Sequence, residues 1–557
     1  MLPLNLEQIY ELFKISQLFS FVLIGLINAA VMLLISFKFF QIMQQCGYKG
    51  DDYLKWLVNK DNVSITRLSM LCLLSILGFL LTNMSLSFID NPLIHYLGFI
   101  PSLIFMFVYV GGEKKSKSKL PLVVTRRITR LFFTFAVLVI LLSVFLIIGI
   151  NLIAIPLKSH LIFNFRYAIL CVTPIFVPYL VLLAYYINDP NERFSRRKHV
   201  NRAKNKLKEY PSLIKIGITG SYAKTSVKEI LNTILSQKYS VLSTPNSFNT
   251  PLGIAKTVKR LNDGHQVFIA EMGARHIGDI KELTTLVDPN VAVITGVTYQ
   301  HIETFKILEN IAKTKYEIIE NMNGGKAIFS ADNKLSIDMF KKCKLEKVLA
   351  GVDKNKLSTV FATDIVSTAN GSKFTLHIGD KAFDASTCLL GKHNVSNICL
   401  AVAVANSLGL TEEEILLGIS NIKPVKHRLE VFTNDNGVTI IDDSYNSNVD
   451  GVKAAMEVLD TFEGRKIIIT PGLVELGKEE NVANFEMGKL IANHVDVAII
   501  VGSHNAEMLI NGLKEAGFNA ENIMFATTLK KGNDILNEIM KEKDVVLFEN
   551  DLPDNYN

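Results

Sequence analysis

Apolar residues follow two regimes along this chain. Before residue 190 they form five long, nearly uncharged stretches, at about 18–37, 68–89, 93–110, 131–150 and 168–187. Each approaches the roughly 20 residues that a helix needs to cross a bilayer. After residue 212 the apolar runs shorten and alternate with helical spacing, which predicts a mostly parallel sheet covered by helices on both faces. Strands are expected at 213–218, 267–270, 291–294 and 326–329. Hairpin material follows at 363–387, with turns at Asn370-Gly371 and Gly379-Asp380. A capping box, Thr411 to Glu414, opens a helix, and Pro424 closes the domain. Apolar runs at 467–469, 497–501, 523–526 and 545–548 then predict a second α/β domain of dinucleotide-binding topology. No G-x-G-x-x-G stands at its first turn, so NAD is not assigned.

The organisation read from this pattern is a helical membrane domain over 1–190, a basic juxtamembrane linker over 191–211, a central domain over 212–424 and a C-terminal domain over 425–557. Basic residues orient it. Lys114, Lys115, Lys117, Lys119, Arg126, Arg127 and Arg130 follow the third stretch, and a second basic cluster runs from Arg193 to Lys208. The turn at 90–92 has no cation, and only Lys158 and Arg166 separate stretches four and five. Both basic segments therefore belong on the cytoplasmic side. A multi-pass protein of the cell membrane follows, with its N-terminus outside and both α/β domains cytoplasmic. The loop 41–67, with Lys49, Lys55 and Lys60, agrees. Juxtamembrane cations suit anionic headgroups, and no groove-reading motif accompanies them, so a bilayer and no nucleic acid is the expected partner.

Composition narrows the classes further. The chain has 557 residues, 49% hydrophobic and 20% charged, with a net charge of +6. That excludes disordered and collagen-like chains. The six cysteines contain no C-x-x-C pair, which argues against a zinc ribbon or a disulfide framework.

The expected strand 213–218 runs into Thr219-Gly220-Ser221-Tyr222-Ala223-Lys224-Thr225-Ser226 and then a helix. Strand, glycine loop, Lys-Thr-Ser and helix make a phosphate cradle. Loop amides and the helix N-terminus attract the anion, the lysine neutralises charge, and a hydroxyl reaches Mg²⁺. Ala223 stands where such loops carry Gly. A positive φ there would cost on the order of 1 kcal/mol for the methyl. Alone, this loop reads equally well as an ordinary βα turn.

Four further segments follow in order: Glu271-Met272-Gly273-Ala274; Gln300-His301-Ile302-Glu303 with Ala312-Lys313-Thr314-Lys315-Tyr316-Glu317; Gly391-Lys392-His393-Asn394-Val395-Ser396-Asn397; and Arg428-Leu429 ahead of Asp442-Asp443-Ser444-Tyr445-Asn446-Ser447-Asn448. Read singly, Glu271 could be a solvated loop acid, His301 a surface histidine and Lys315 part of a solvated helix face. In this collinear order, from about Leu213 onward, the chain resembles the Mur ligases of peptidoglycan synthesis, closest to the branch that adds D-alanyl-D-alanine to UDP-N-acetylmuramoyl-tripeptide.

The resemblance implies a P-loop-type central ATP-binding domain, a Rossmann-like C-terminal domain and an ATP-dependent ligase working through an acyl phosphate. It implies that Gly220, Ser221, Ala223, Lys224, Thr225 and Ser226 hold the nucleotide phosphates, with Lys224 catalytic. It implies that Thr225 and Glu271 bind one Mg²⁺ and that His301 binds a second. It further implies that Lys315 is carbamylated to help position metal, that His393, Asn394 and Asn397 contact adenine, and that Arg428 and Asp443 reach the nucleotide. Three departures qualify the substrates. Membrane stretches stand where the family has a UDP-holding domain, so the precursor is expected to be lipid-linked or nucleotide-linked. His427 and Ala223 replace glycines. The tail Phe548-Glu549-Asn550-Asp551-Leu552-Pro553 replaces a basic Lys-Gly-Ser, so the amine co-substrate is an amino acid or dipeptide of open identity. The reading is a membrane-tethered amide ligase of cell-envelope precursors, with a catalytically weakened nucleotide-binding scaffold as the alternative.

Overall fold

The computed structural model describes residues 15–59, 62–86, 97–115, 122–154, 166–299, 302–352, 357–445, 447–474 and 476–551. The chain divides into two compact units, Met1–Ser195 and Arg196–Asn557.

The first unit is helical: α1 (Ile15–Gln45), α2 (Gly50–Leu57), α3 (Val63–Ser85), α4 (Phe99–Lys115), α5 (Arg126–Ala154) and, after a 3₁₀ segment at Arg166–Phe176, α6 (Val177–Lys208). Among the described residues, four segments are long and apolar enough to cross a membrane: Val22–Gln45, Val63–Ser85, Arg126–Asn151 and Tyr167–Lys208. The third apolar stretch forms the shorter α4, of 17 residues. The fifth stretch is not one regular helix. Its first half is 3₁₀ and contains Pro174, whose ring and missing N–H oppose an α-helical ladder. The segment 41–67, read as a loop, holds α2. Residues 191–208, read as a linker, complete α6. The turn at 90–92 lies outside the described residues.

Packing in this unit is apolar on both sides. Phe39, Phe40, Met43 and Phe135 are fully buried, yet Phe133 and Phe145 are 71% and 74% exposed. A helix in water turns its polar face outward, and these do not. Polar groups gather inside instead. Asn28 Nδ2 donates to Ser143 Oγ at 3.0 Å, and Thr173 Oγ1 donates to Asn28 Oδ1 at 2.7 Å. The Glu113 carboxylate lies 3.2 Å from Lys38 Nζ and 3.0 Å from Arg67 Nη1.

The second unit holds two sheets. The larger has nine strands in the order β2-β3-β1-β4-β5-β6-β7-β8-β9. These are β1 (Ile214–Thr219), β2 (Val241–Ser243), β3 (Val267–Glu271), β4 (Val291–Ile294), β5 (Lys326–Ser330), β6 (Glu346–Gly351), β7 (Val360–Thr368), β8 (Gly371–Ile378) and β9 (Lys381–Thr387). Pairing is parallel from β2 through β7 and antiparallel across β7, β8 and β9. The central strands β3 and β4 are buried at every residue, as parallel strands covered on both faces must be. Strands β2 and β6 were not expected from the pattern, being short or flanked by charge. The first hairpin turns at 369–370, one residue early, because Gly371 already pairs with Thr368. The capping box of Thr411 and Glu414 forms as expected.

The smaller sheet has six strands in the order β10-β11-β15-β12-β13-β14. They are β10 (Glu430–Thr433), β11 (Thr439–Asp443), β12 (Lys466–Thr470), β13 (Val497–Val501), β14 (Ile523–Ala526) and β15 (Val545–Glu549). Only β10 runs antiparallel, and the last strand returns to lie between β11 and β12. In each sheet the strand order doubles back, once at β1 and once at β15. Open parallel sheets hold ligands at the carboxyl ends of strands beside such points.

Candidate active site

The loop after β1 is shaped by close approach. A side-chain carbon at Gly220 would sit 2.0 Å from Thr295 Oγ1, so only glycine fits there. Ala223, the N-cap of α7 (Lys224–Leu235), has φ 59°. The left-handed backbone that glycine normally supplies is therefore present and carries a methyl. Its carbonyl still accepts the Val227 N–H at 2.8 Å, and the first amides of α7 face the loop as an anion site requires.

Lys224 Nζ donates to the carbonyls of Gly220 at 2.8 Å and Ser221 at 3.1 Å. Burial lowers it to about 8, with Glu271 opposing the fall and Arg428 adding to it. Thr225 Oγ1 donates to Glu271 Oε2 at 3.0 Å, and Asn249 Nδ2 donates to Glu271 Oε1 at 3.1 Å. Glu271 ends β3 and is 1% exposed. It is a buried acid fixed from both sides, not a solvated one. Behind it, Lys228 Nζ lies 3.7 Å from Glu271 Oε2 and 3.0 Å from Glu229 Oε1, and is wholly buried.

Lys315, on α9 (Leu308–Glu320), is 2% exposed, which overturns the solvated-face reading. Burial, and then repulsion from Lys224, brings its amine down to about 7 against the pull of Asp279 and Glu317. Glu317, two residues on, accepts from the amides of Gly278 at 2.7 Å and Lys281 at 2.9 Å. It thereby pins α8 (Asp279–Val287) against α9. His301 and Gln300 lie outside the described residues, as does Asn446.

The segment at His393 opens α10 (Lys392–Ser407). Asn394 Nδ2 donates to the Leu390 carbonyl at 2.9 Å, and Asn397 Nδ2 to Asn394 Oδ1 at 3.4 Å. Burial takes the His393 imidazole down to about 4, so it is neutral at physiological pH. Ser396 donates to Asp332. Asp332 in turn helps to hold the Tyr222 phenol up at about 12, after burial and Asp450. The His393 segment and the phosphate loop thus share neighbours.

The C-terminal domain supplies Arg428, whose guanidinium lies 4.4 Å from the Tyr445 ring centroid. The Tyr445 hydroxyl contacts that of Ser247 in the central domain. His427 has φ 59° and Leu429 φ 50°, so the second lost glycine is also at a left-handed position. The His427 Nδ1 is 2.7 Å from Asp442 Oδ2, which anchors it there. Asp443 ends β11. Burial pushes its carboxyl up to about 6 against Arg428 and the Leu429 N–H, with Asp442 adding to the rise.

Lys224, Thr225, Glu271, Lys315, Arg428 and Asp443 therefore interact as one group. Hard carboxylate and hydroxyl oxygens beside two lysines and an arginine fit a magnesium–polyphosphate. Three residues that support this group escaped the sequence: Lys228 and Asn249 against Glu271, and Asp332 between Ser396 and Tyr222. Only Lys228 left a trace, as a cation four residues after Lys224 within the apolar run of α7.

Comparison with known proteins gives two family matches. The Mur ligase middle domain matches residues 218–405, and the Mur ligase glutamate ligase domain matches 427–549. Neither reaches the helical unit. The chain is 31% identical over 348 residues to the UDP-N-acetylmuramoyl-tripeptide--D-alanyl-D-alanine ligase of Buchnera aphidicola subsp. Baizongia pistaciae, covering 59% of this chain and 75% of that one. It is 32% identical over 292 residues to the enzyme of that name from Escherichia coli K12, covering 52% of this chain and 65% of the relative. Among solved structures, MurF from Acinetobacter baumannii is similar at TM-score 0.58 and 26% identity, over 64% of this chain and 77% of that one. The MurF ligase from Thermotoga maritima in complex with ADP is similar at TM-score 0.56 and 26% identity, over 64% and 80%.

Proposed function

Because this chain belongs to the Mur ligase family, and so to the ATP-dependent amide-bond-forming ligases, we propose that it joins an amine compound to a carboxylate of a cell-envelope precursor at the cytoplasmic face of the membrane. The observation that carries this is the set of Lys224 and Thr225 at the N-terminus of α7 with the buried Glu271 and Lys315 beside them. Phosphoryl transfer needs charge neutralisation and positioning more than covalent help, and this set offers both. The relatives' names supply the reaction class, a peptide-bearing carboxylate joined to an amine. The precursor and amine of this chain are assigned here only as classes.

In this reading Lys224 and the amides of residues 220–226 hold the β- and γ-phosphates, with Arg428 approaching from the C-terminal domain. His393, Asn394 and Asn397 line the adenine side, and Asp443 faces Arg428 by charge. Thr225 and Glu271 would hold one Mg²⁺, and His301 with Lys315 a second. Bound Mg²⁺ supplies Lewis-acid neutralisation of the transferring phosphoryl group. Glu271 fits that duty because Asn249 and Lys228 fix its carboxylate without filling all its lone pairs. Lys315 fits carbamylation because its amine is largely neutral above pH 7. A neutral amine attacks CO₂, forms the N–C bond and loses one proton, leaving an anionic carbamate among cations.

The acid substrate takes the γ-phosphoryl group on a carboxylate oxygen. The amine then attacks the acyl carbon, the C–O bond to phosphate breaks, and phosphate leaves as the amide forms. Lys224 stabilises charge in both steps and remains unmodified.

Membrane residence rests on the apolar exterior of the first unit and on the basic residues flanking its spans, read as five spans including the short α4. Tethering would concentrate the ligase beside a lipid-borne precursor without high intrinsic affinity. The test uses full-length protein in membranes, supplied in turn with nucleotide-linked and lipid-linked muramoyl peptides. Phosphate release from ATP should require both a precursor and an amine and should fall on the order of 10²–10³-fold in K224A. Release that ignores both substrates contradicts the ligase reading, and activity on a nucleotide-linked precursor alone contradicts the lipid-linked one.

A further inference from the structure

β11 and β15 lie side by side in parallel, and their register pairs Asp443 with Glu549. Both carboxyls end their strands, at the point where the order of the smaller sheet doubles back. Asp443 is half-buried and on the side of Arg428, whereas Glu549 is fully buried behind it. Neither oxygen of Glu549 has a hydrogen-bond partner among the described residues. The next residue, Asn550, fixes the walls around it: Nδ2 donates to the Gly472 carbonyl at 2.6 Å, and Oδ1 accepts the Ser447 N–H at 3.2 Å. The strand end is therefore held on both sides while its carboxyl accepts no hydrogen bond within ordinary geometry. Burial, and then Asp443, hold the Glu549 carboxyl well above the usual carboxylate range, with the Ser447 hydroxyl as the one opposing influence.

Asp443, Asp551 and Glu480 stand at the strand ends or in the segments beside them, with His504 Nε2 2.7 Å from Glu480 Oε1. Arg428 is the cation on the Asp443 side and stacks over Tyr445. A dipeptide presenting a free carboxylate here would meet Glu549, in a tail that stands in place of the basic one the family resemblance implies. A donor group would instead complete an unfilled acceptor.

Resting on the ligase reading above, we propose that Glu549, with Asp443 beside it, receives the far end of the amine co-substrate, and that this end is an N–H donor, an ammonium or a primary carboxamide, in place of a free carboxylate. The reacting amine then points from the smaller sheet towards Lys224, to which Asp443 is linked through Arg428. Because an acceptor buried without a partner favours its neutral form, seating a cation on Glu549 releases a proton. Seating a carboxamide does not.

Three compounds sharing a D-alanyl amine test this: D-alanyl-D-alanine, D-alanyl-D-alaninamide and N-(2-aminoethyl)-D-alaninamide. Binding is measured by calorimetry on full-length protein in lipid nanodiscs with magnesium and a non-hydrolysable ATP analogue. One of the two donor-ended compounds should bind at least tenfold tighter than D-alanyl-D-alanine. E549Q should abolish the preference, and E549K should reverse it. If the ammonium compound is the tight one, its heat should vary with the ionisation enthalpy of the buffer, and E549Q should remove that variation. If the carboxamide is the tight one, no such variation appears and a carboxamide end is assigned. Equal or tighter binding of D-alanyl-D-alanine overturns the proposal, as does a ranking unchanged in both variants or no binding of any of the three. Failure of the ATP analogue itself to bind would overturn the ligase reading beneath it.

Discussion

Glu271 closes β3 and Glu549 closes β15, each the last residue of a strand in a parallel sheet and each buried. Around Glu271 stand the Thr225 hydroxyl, the Asn249 amide and the Lys228 ammonium. Around Glu549 stand another carboxyl and one serine. The first arrangement orients a carboxylate in the absence of any ligand. The second leaves its acceptor to be completed from outside. A buried polar group without a partner costs roughly 1–3 kcal/mol, so the second arrangement is maintained against stability, as functional sites commonly are.

Replacing Lys224 breaks the first arrangement most severely. K224A should lower ligation on the order of 10²–10³-fold, the scale of removing one preorganised charge-stabilising group, read as amide formed per minute. E271Q removes the charge and leaves one acceptor oxygen where the carboxylate has two. It should raise the magnesium concentration needed for activity and leave Lys228 with Glu229 as its remaining acid. The expected loss is about 3 kcal/mol of stability, the low end for breaking a buried pair, measured by denaturant unfolding in detergent.

Glu549 should respond in the opposite sense. E549Q should stabilise the protein by about 1 kcal/mol or more above pH 6, because the glutamine has no charge to desolvate. The sign follows from linkage. Carboxyls held above their unfolded values bind more protons in the folded state, so stability is lost as pH rises through the titration of the Asp443–Glu549 pair. Wild type should show that loss from the ordinary carboxylate range upward, complete for Asp443 near its value of about 6 and continuing above it for Glu549, and E549Q should show less of it. If E549Q destabilises at every pH, the two carboxylates are not opposites.

The buried lysines carry the smaller effects. Lys315 is held down at about 7, so its neutral fraction rises through that pH. Stimulation by bicarbonate should grow across the same range and disappear in K315R. Lys224, at about 8, should take up protons when a polyphosphate binds at pH 8, since the anion favours its charged form. Calorimetry in two buffers reads this. Smallest of all, A223G should stabilise by about 1 kcal/mol, relieving the methyl at positive φ.

Much of this was legible in the residues. The strand–loop–helix around Lys224 and the β-strands of the C-terminal sheet were visible because parallel strands buried on both faces write unbroken apolar runs. The strained alanine was foreseen as a condition, since the motif names the position but not its φ. Burial of charge was not legible. Lys315, Lys228 and Glu271 look like any surface ion in one dimension, and only the meeting of α9, α7 and β3 removes them from water. The membrane stretches were read from length alone, so the break at Pro174 and the short α4 appeared only in three dimensions. Glu549 was visible as a departure from the basic tail. Its isolation depends on β15 returning beside β11, which no local pattern records.

The central claim is that a carboxylate is activated by ATP before the amine attacks. The most direct measurement follows ¹⁸O from the carboxylate of a labelled muramoyl-peptide precursor, using full-length protein in membranes with ATP and an amine that supports turnover. One labelled oxygen should appear in the released phosphate for each amide formed, and K224A should lower both together. Phosphate released without label, at the same rate with or without precursor, would contradict the account.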